Sequence, residues 1–379
     1  MKQPTTWRQI LQRHADRFLK WLDETNSEHR LVDETASHLT EYLIASIRTK
    51  DDARGFWDAI PAVRSECNDS DTYERPCAAE AYAYVHLLHR YCRTWSVLHH
   101  MTATNVLPLA RHGVRVLDVG TGPAPALYAI DDFYRVLRQF AHELGIQELY
   151  VADPTLNCIE KSSSMERFIH RFSECCRRPG PFGATIGEFT DLDFRSERKS
   201  YFDNYRYETY WDPDEQEYQQ WDNSEIAAED SNALFRYRIV VFSNFLTMGN
   251  DVSRYETELR ILFRDLRPGA VVIILGATGD HYQAIYSDLA RLASDEGLRC
   301  GEWDSDGLGD RVGGFLARIK AAQFDVYRHL EGLASASALC RVSHPDYWVS
   351  APSPKTKTKF ALRVFRRGKW PASAPGAGG

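Results

Sequence analysis

The sequence predicts an α/β protein: a mostly parallel sheet with helices on both faces, preceded by a helical N-terminal region. Three observations carry that expectation. Up to about residue 111 the apolar residues recur at three- and four-residue steps, the period of an amphipathic helix. From Gly113 the texture changes to short apolar runs alternating with helical patterns, as in a sheet built from βαβ crossovers. Between the two lies "VRVLDVGTGPAPALYAI", Val114 to Ile130. There an apolar run ends in an acid, breaks at two glycines and resumes as a helix.

Trp7, Ile10, Leu11, Phe18, Trp21 and Leu22 mark a first helix, Ala36, Leu39, Leu43 and Ile47 a second. Tyr84, Leu87, Leu88, Tyr91, Trp95 and Leu98 mark another, after the polar linker "SECNDSDTYERP". In the second part "VRVLDVG" reads as the first strand and "ALYAIDDFYRVLRQFAHELG" as a long helix closed by Gly145, a residue type suited to a C-terminal cap. "ELYVADP" reads as the second strand, stopped by Pro154, and "CIEKSSSMERFIHRFSECC" as the next helix. Further strands are expected in "ATIGEFTDLDF", "YRIVVFSNFL", "GAVVIILGATG", "LRCGEWD" and "TKFALRVFRRG". Helices are expected in "VSRYETELRILFRDL", "HYQAIYSDLARLASDEG" and "FLARIKAAQFDVYRHLEGL".

The expected division is a helical domain over 1–111, a sheet domain over 112–368 and a disordered tail over 369–379. Two insertions interrupt the alternation, near 195–237 and 304–350. The first is acidic and tyrosine-rich without clean periodicity. Such a stretch is either a solvated excursion or a cover over a site.

The 379 residues carry a formal net charge of −7, which argues against a general nucleic-acid or membrane-surface binder. The N-terminus holds no uninterrupted apolar signal core, and no run approaches the roughly 20 apolar residues of a membrane span. A cytoplasmic, soluble protein is expected. The 8 cysteines include no CxxC pair, so free thiols and no metal site are expected.

The glycine junction is where chemistry belongs, because open α/β sheets bind ligands at the carboxyl ends of their strands. Gly120 and Gly122 can adopt backbone angles closed to other residues, and the following helix is expected to turn its N-terminal dipole into the same crevice. Pro123 or Pro125 suits the first turn of that helix. A dinucleotide fingerprint would place a small residue three positions after the second glycine; Pro125 stands there. An acid at the strand end, Asp118, repels an anion but not an ammonium or a sulfonium.

On these residues the chain resembles the class I S-adenosylmethionine-dependent methyltransferases. "VLDVGTGPAPA" is similar to their first motif, and Asp153 in "LYVADP", "IGEFTDLDF", "RIVVFSNFL" and "ELRILFRDLRPGAVVIIL" follow in the family's order. The resemblance covers about Gly113 to Leu298 and the final strand. It implies a Rossmann-like, seven-stranded, mostly parallel sheet and S-adenosyl-L-methionine as cofactor. It implies Asp118, Gly120, Thr121 and Gly122 around the methionine end, with Ser243 nearby. Asp153 is implied for the ribose, and Glu188 and Phe189 for the adenine. The chain departs from the pattern at Ala124, where a third glycine is usual, and at Arg238, where an acid is usual.

The acceptor is expected at the ends of the fourth and fifth strands. Asn244 is either a methyl-facing residue or a turn former, and His281 either a general base or half of a helix-capping pair with Asp280. The aromatic helix "AYAYVHLLHRYCRTWSVLHH" is either core or pocket cover, whose rings could hold a sulfonium by cation–π contact. A small-molecule acceptor is expected. The alternatives are a methyltransferase acting on protein or RNA, for which only the basic "KTKTKFALRVFRRGK" speaks, and a non-catalytic scaffold of the same fold. The "GPAPA" junction is also similar to ribosome-associated methyltransferase-like proteins, without their clustered cysteines.

Overall fold

The computed structural model describes residues 7–64, 73–110, 113–176, 183–186, 207–212, 217–222, 237–333 and 359–370, except positions 148, 150, 244, 246–249, 267, 302, 304, 332 and 369. The helices before the sheet are α1 (Trp7–Glu24), α2 (Ser27–Ser46), α3 (Lys50–Arg64), α4 (Ala78–Tyr82) and α5 (Leu88–Ala103). A π-helical turn, Ala83–Leu87, joins the last two.

The sheet opens with β1 (Arg115–Val119), followed by α6 (Pro125–Glu143), β2 (Thr155–Glu160), α7 (Ser163–Cys175) and β3 (Gly183–Ile186). Next come β4 (Tyr207–Asp212) and β5 (Glu217–Asp222), then β6 (Ile239–Ser243), α8 (Asp251–Arg254) and α9 (Glu256–Asp265). The chain continues through β7 (Val271–Gly276), α10 (Asp280–Asp295), β8 (Leu298–Gly301), α11 (Ser305–Gly313), α12 (Leu316–Glu331) and β9 (Ala361–Arg367).

Seven strands form one sheet in the order β3-β2-β1-β6-β7-β9-β8. β9 runs antiparallel to both its neighbours, and the other pairings are parallel. The chain moves outward from β1 to β3, returns to β1's other side with β6, and moves outward again. That reversal between β1 and β6 is the switch point of a doubly wound sheet. The acidic, tyrosine-rich stretch holds an antiparallel hairpin of its own, β4 with β5, which the absence of periodicity had hidden.

Side chains alternate faces along a strand, and two cores result. Val116, Cys158 and Val241 face the N-terminal helices, α6, α7, α11 and α12; Leu117, Val119, Ile159 and Phe242 face α9 and α10. The aromatic helix is largely core, as Tyr84, Tyr91 and Trp95 are buried. The insertion before β9 is tied to the N-terminal helices: Tyr84 Oη donates to the Gln323 carbonyl at 3.0 Å, and Gln323 Nε2 returns a bond to the Tyr84 carbonyl at 2.9 Å. Arg311 pairs with the buried Glu28, and Arg318 with Asp33 at 3.2 Å. Among the described residues no helix is long and apolar enough to cross a membrane.

One element lies elsewhere than its sequence suggests. The second strand is Thr155–Glu160, not "ELYVADP"; it starts after Pro154 rather than ending there. Proline is tolerated at a strand's first residue, where its missing N–H costs the ladder nothing. Cys158, Ile159 and Glu160, expected in a helix, are therefore sheet residues, and α7 begins only after Ser162.

Candidate cofactor pocket

The candidate site lies at the carboxyl ends of β1, β2 and β6. Val119 lies beside Ile159 on one side and Phe242 on the other. One residue further, Glu160, Gly120 and Ser243 form a row across three strands. Two residues back along β1 from Gly120, Asp118 points to the same face as Val116, towards the N-terminal helices.

Gly120 and Gly122 have φ of 64° and 57°, and Ala124, the helix-capping residue ahead of α6, has φ of 59°. The chain thus takes left-handed backbone at every second residue, which explains why glycine suits the third position too. Pro125 occupies the first turn of α6. The N–H groups of this loop are held by β2: Gly120 and Thr121 donate to the Ile159 carbonyl at 3.0 and 3.2 Å, and Gly122 donates to Glu160 Oε2 at 2.6 Å. These donors are spent inside the fold, so the loop does not cradle a phosphate.

Two carboxyls dominate the site. Asp118 is fully buried, accepts a bond from Thr121 Oγ1 at 2.5 Å, and leaves Oδ1 without a hydrogen-bond partner. Burial pushes its carboxyl up to about 7; Thr121 and Arg90 pull it down and Glu160 pushes it further up. Glu160 is also buried and raised, chiefly by desolvation, while the N–H groups of Ser162 and Gly122 oppose the shift. Glu74 adds a third acid on the same side, accepting from Ser162 Oγ at 3.1 Å.

A carboxyl whose folded pKa is raised contributes stability that is full below its unfolded pKa and is lost as pH rises through the folded value. For Asp118 that window runs from about 4 to about 7, and the shift is worth up to about 4 kcal/mol. The half-buried imidazoles of His86, His89 and His99, lowered by desolvation to about 3, 4 and 3, act with the opposite sign. The measurement is therefore a difference. Urea melts of wild type and Asp118→Asn should converge near pH 4, with the variant becoming relatively more stable towards pH 7.

Two aromatic rings pack on the glycine loop. A Cβ on Gly120 would lie 2.4 Å from Phe245 Cδ2, so the Phe245 ring rests on that glycine; a Cβ on Gly122 would lie 3.4 Å from Tyr82 Cε1. Phe245 packs in turn on Phe242 and Tyr255, with centroids 6.1 and 5.2 Å away. Tyr82 is thus the part of the aromatic helix that reaches the glycine loop.

The expected residues divide clearly. Asp118, Gly120, Thr121, Gly122 and Ser243 come together. Asp153 does not: it precedes β2, seven residues and about 20 Å of strand from Glu160. Its side chain is 74% exposed and pairs with Arg138 on α6. The acid at the strand end is Glu160, which the sequence reading missed. Its signal was "NCIEKSSS": an apolar alternation, an acid, then serines able to start a helix. Glu188, Phe189 and Asn244 lie outside the described residues. His281 is the second residue of α10, and only its backbone position is described; Gly279, not Asp280, is the residue that caps that helix.

Fold and site together define a Rossmann-like α/β protein with an acid-lined glycine junction. No described protein family matches the sequence, and no curated protein matches it. Among solved structures the chain is similar to coclaurine N-methyltransferase bound to N-methylheliamine and S-adenosylhomocysteine, at 11% identity over 96% of each chain with a TM-score of 0.34. It is similar to geranyl diphosphate C-methyltransferase from Streptomyces coelicolor A3(2), at 10% identity over 77% of this chain and 84% of that one, TM-score 0.32. It is also similar to the 4+2 cyclase SpnF, at 14% identity over 72% of this chain and 80% of that one, TM-score 0.34. The functional reading below is built on the chain's own residues.

Proposed function

We propose that this protein is a class I S-adenosylmethionine-dependent methyltransferase acting on a small molecule. The observation that carries the reading is the unpartnered, fully buried Oδ1 of Asp118, beside the glycine loop at the switch point of the sheet. A buried acceptor without a donor is costly, and an ammonium group is the donor that also matches its charge. Glu160 keeps one carboxylate edge on Gly122 and Ser162 and is placed to accept from a pair of ribose hydroxyls.

When bound, the cofactor supplies the activated methyl group, so the protein's contribution is binding, orientation and exclusion of water. Phe245 on Gly120 and Tyr82 on Gly122 wall the loop from solvent. A dinucleotide is disfavoured on two counts: the loop N–H groups are already engaged, and the acids repel a pyrophosphate. A chain charge of −7 favours a small acceptor over RNA. We assign the acceptor side to Asn244, which follows Ser243, and to His281 at the start of α10.

Calorimetric titration tests the reading. Wild type should bind S-adenosylmethionine and S-adenosylhomocysteine, and Asp118→Asn should bind each about 10-fold or more weakly, since a charge-assisted bond is lost. Binding of NADH or ATP in preference to both would sink it.

A further inference from the structure

We infer that the acceptor carries an oxyanion, a carboxylate or a phosphate, and that Arg93 and Lys320 hold it; the inference rests on the methyltransferase reading. The two cations come from separate elements, Arg93 from α5 and Lys320 from α12. Both residues are half-buried. Two cations brought together in a partly dehydrated place repel each other, and an oxyanion between them turns that repulsion into attraction. A guanidinium's planar fork suits a carboxylate or a phosphate, and an ammonium adds a point charge.

Position ties Arg93 to the strand ends where the acceptor is expected. Its guanidinium lies 5.3 Å from the ring centroid of Phe360, which is buried and directly precedes β9. Ala361, the first residue of β9, pairs with Gly276 at the end of β7, and Leu275 pairs with Ser243 at the end of β6. Arg93 therefore stands over the carboxyl ends of β6 and β7. Arg90, one turn earlier on α5, is instead bonded to Tyr82, whose ring lies at Gly122. Along this helix the chain passes from the cofactor side to the acceptor side.

Helix packing brings Lys320 to the same place. The paired bonds between Tyr84 and Gln323 pin α12 to the aromatic helix, and Lys320 lies on the Gln323 face of α12, nearly one turn earlier. The preceding helix, α11, packs further along α5, where Arg311 acts on His99. The two segments thus run antiparallel, which sets Lys320 opposite His89. His89 shares a helix face with Arg93, four residues on. Its imidazole is lowered to about 4, first by desolvation and then by Arg93, Lys320 and Arg90. All three charges act in one direction, so the field at this spot is positive. The cofactor side, with Asp118 and Glu160, is acidic. An acceptor with an oxyanion at one end is oriented by that contrast, its anion held away from the two acids.

The test is calorimetric titration of the full chain, with and without saturating S-adenosylhomocysteine, using four probes on one ring: phenyl phosphate, benzoate, benzamide and benzylammonium. At low salt wild type should bind phenyl phosphate or benzoate in preference to the neutral and cationic probes. The tighter of the two tells a phosphate from a carboxylate. Arg93→Met and Lys320→Met should each weaken that probe about 10-fold or more and leave S-adenosylhomocysteine within about twofold. Arg318→Met removes a cation of α12 that pairs with Asp33 and should leave the probe within about twofold. If Arg93→Met does not fold, Lys320→Met carries the comparison. Benzamide or benzylammonium binding as tightly as the better oxyanion would overturn the inference. So would an oxyanion affinity that survives Lys320→Met, or one that falls equally in Arg318→Met. If S-adenosylhomocysteine binds and neither oxyanion does, the cofactor reading stands and this inference fails. If the oxyanions bind through Arg93 and Lys320 but S-adenosylhomocysteine does not bind, the methyltransferase reading fails and the oxyanion site remains.

Discussion

Replacing Glu160 with Gln should weaken S-adenosylhomocysteine binding about 10- to 100-fold, while Asp153→Ala should leave it within about twofold. The contrast follows from position. Glu160 ends β2 beside Gly120, buried, with one oxygen fixed by Gly122 N at 2.6 Å and the other by Ser162 N at 2.9 Å. It is oriented before a ligand arrives, so a ribose diol meets acceptors that cost no further ordering. Glutamine keeps the shape but loses the charge and points an amide donor at N–H groups. Asp153 stands at the other end of the strand, exposed and paired with Arg138; a surface pair of this kind contributes about 1 kcal/mol or less. Calorimetry on the two variants decides the matter. A loss with Asp153→Ala and none with Glu160→Gln would show that the ligand binds somewhere other than this switch point.

Gly120→Ala should destabilise the protein by about 2–5 kcal/mol, the sum of left-handed backbone strain and overpacking. At φ of 64° a Cβ is strained wherever it points. Here it would also stand 2.4 Å from Phe245 Cδ2 and 3.1 Å from Phe245 Cβ. The second distance matters more, because moving a Cβ means moving the Phe245 backbone and not only swinging a ring. Chemical denaturation of a double-mutant cycle isolates the ring's share: Phe245→Ala combined with Gly120→Ala should remove the clash with the ring and keep the backbone strain and the contact to the Cβ of residue 245. If the two substitutions are simply additive, Phe245 does not rest on Gly120. S-adenosylhomocysteine binding should fall in Gly120→Ala even where the protein remains folded, since the loop that sets Asp118 and Thr121 is displaced.

Much of this was legible in the sequence, for local reasons. The apolar run ending in Asp118, the two glycines and Pro125 each act through their own backbone restrictions, so strand, turn and helix start could be read from neighbouring residues. The same holds for β6, β7 and β9, whose apolar runs are bounded by polar or glycine residues. The hairpin at Tyr207–Asp222 was not legible, because its acidic and aromatic residues do not alternate cleanly.

β2 shows where local reading fails. "ELYVADP" and "TLNCIE" are both short, partly apolar and adjacent to Pro154, so propensity does not choose between them. The choice is made by pairing: Thr155 to Ile159 lie in register beside Arg115 to Val119, a contact across some forty residues that includes all of α6. That shift moves the strand-end acid from Asp153 to Glu160. Likewise, the sequence marked "AYAYVHLLHRYCRTW" as aromatic without saying which ring meets the glycine loop. A π-turn and a crossing against the glycine loop decide that it is Tyr82, with Arg90 behind it. The sequence by itself determined the fold class and the glycine junction, because both are written in backbone restrictions and short-range periodicity. Only the tertiary structure decided which acid and which ring face that junction, because strand register and helix packing are set by contacts between residues far apart in the chain.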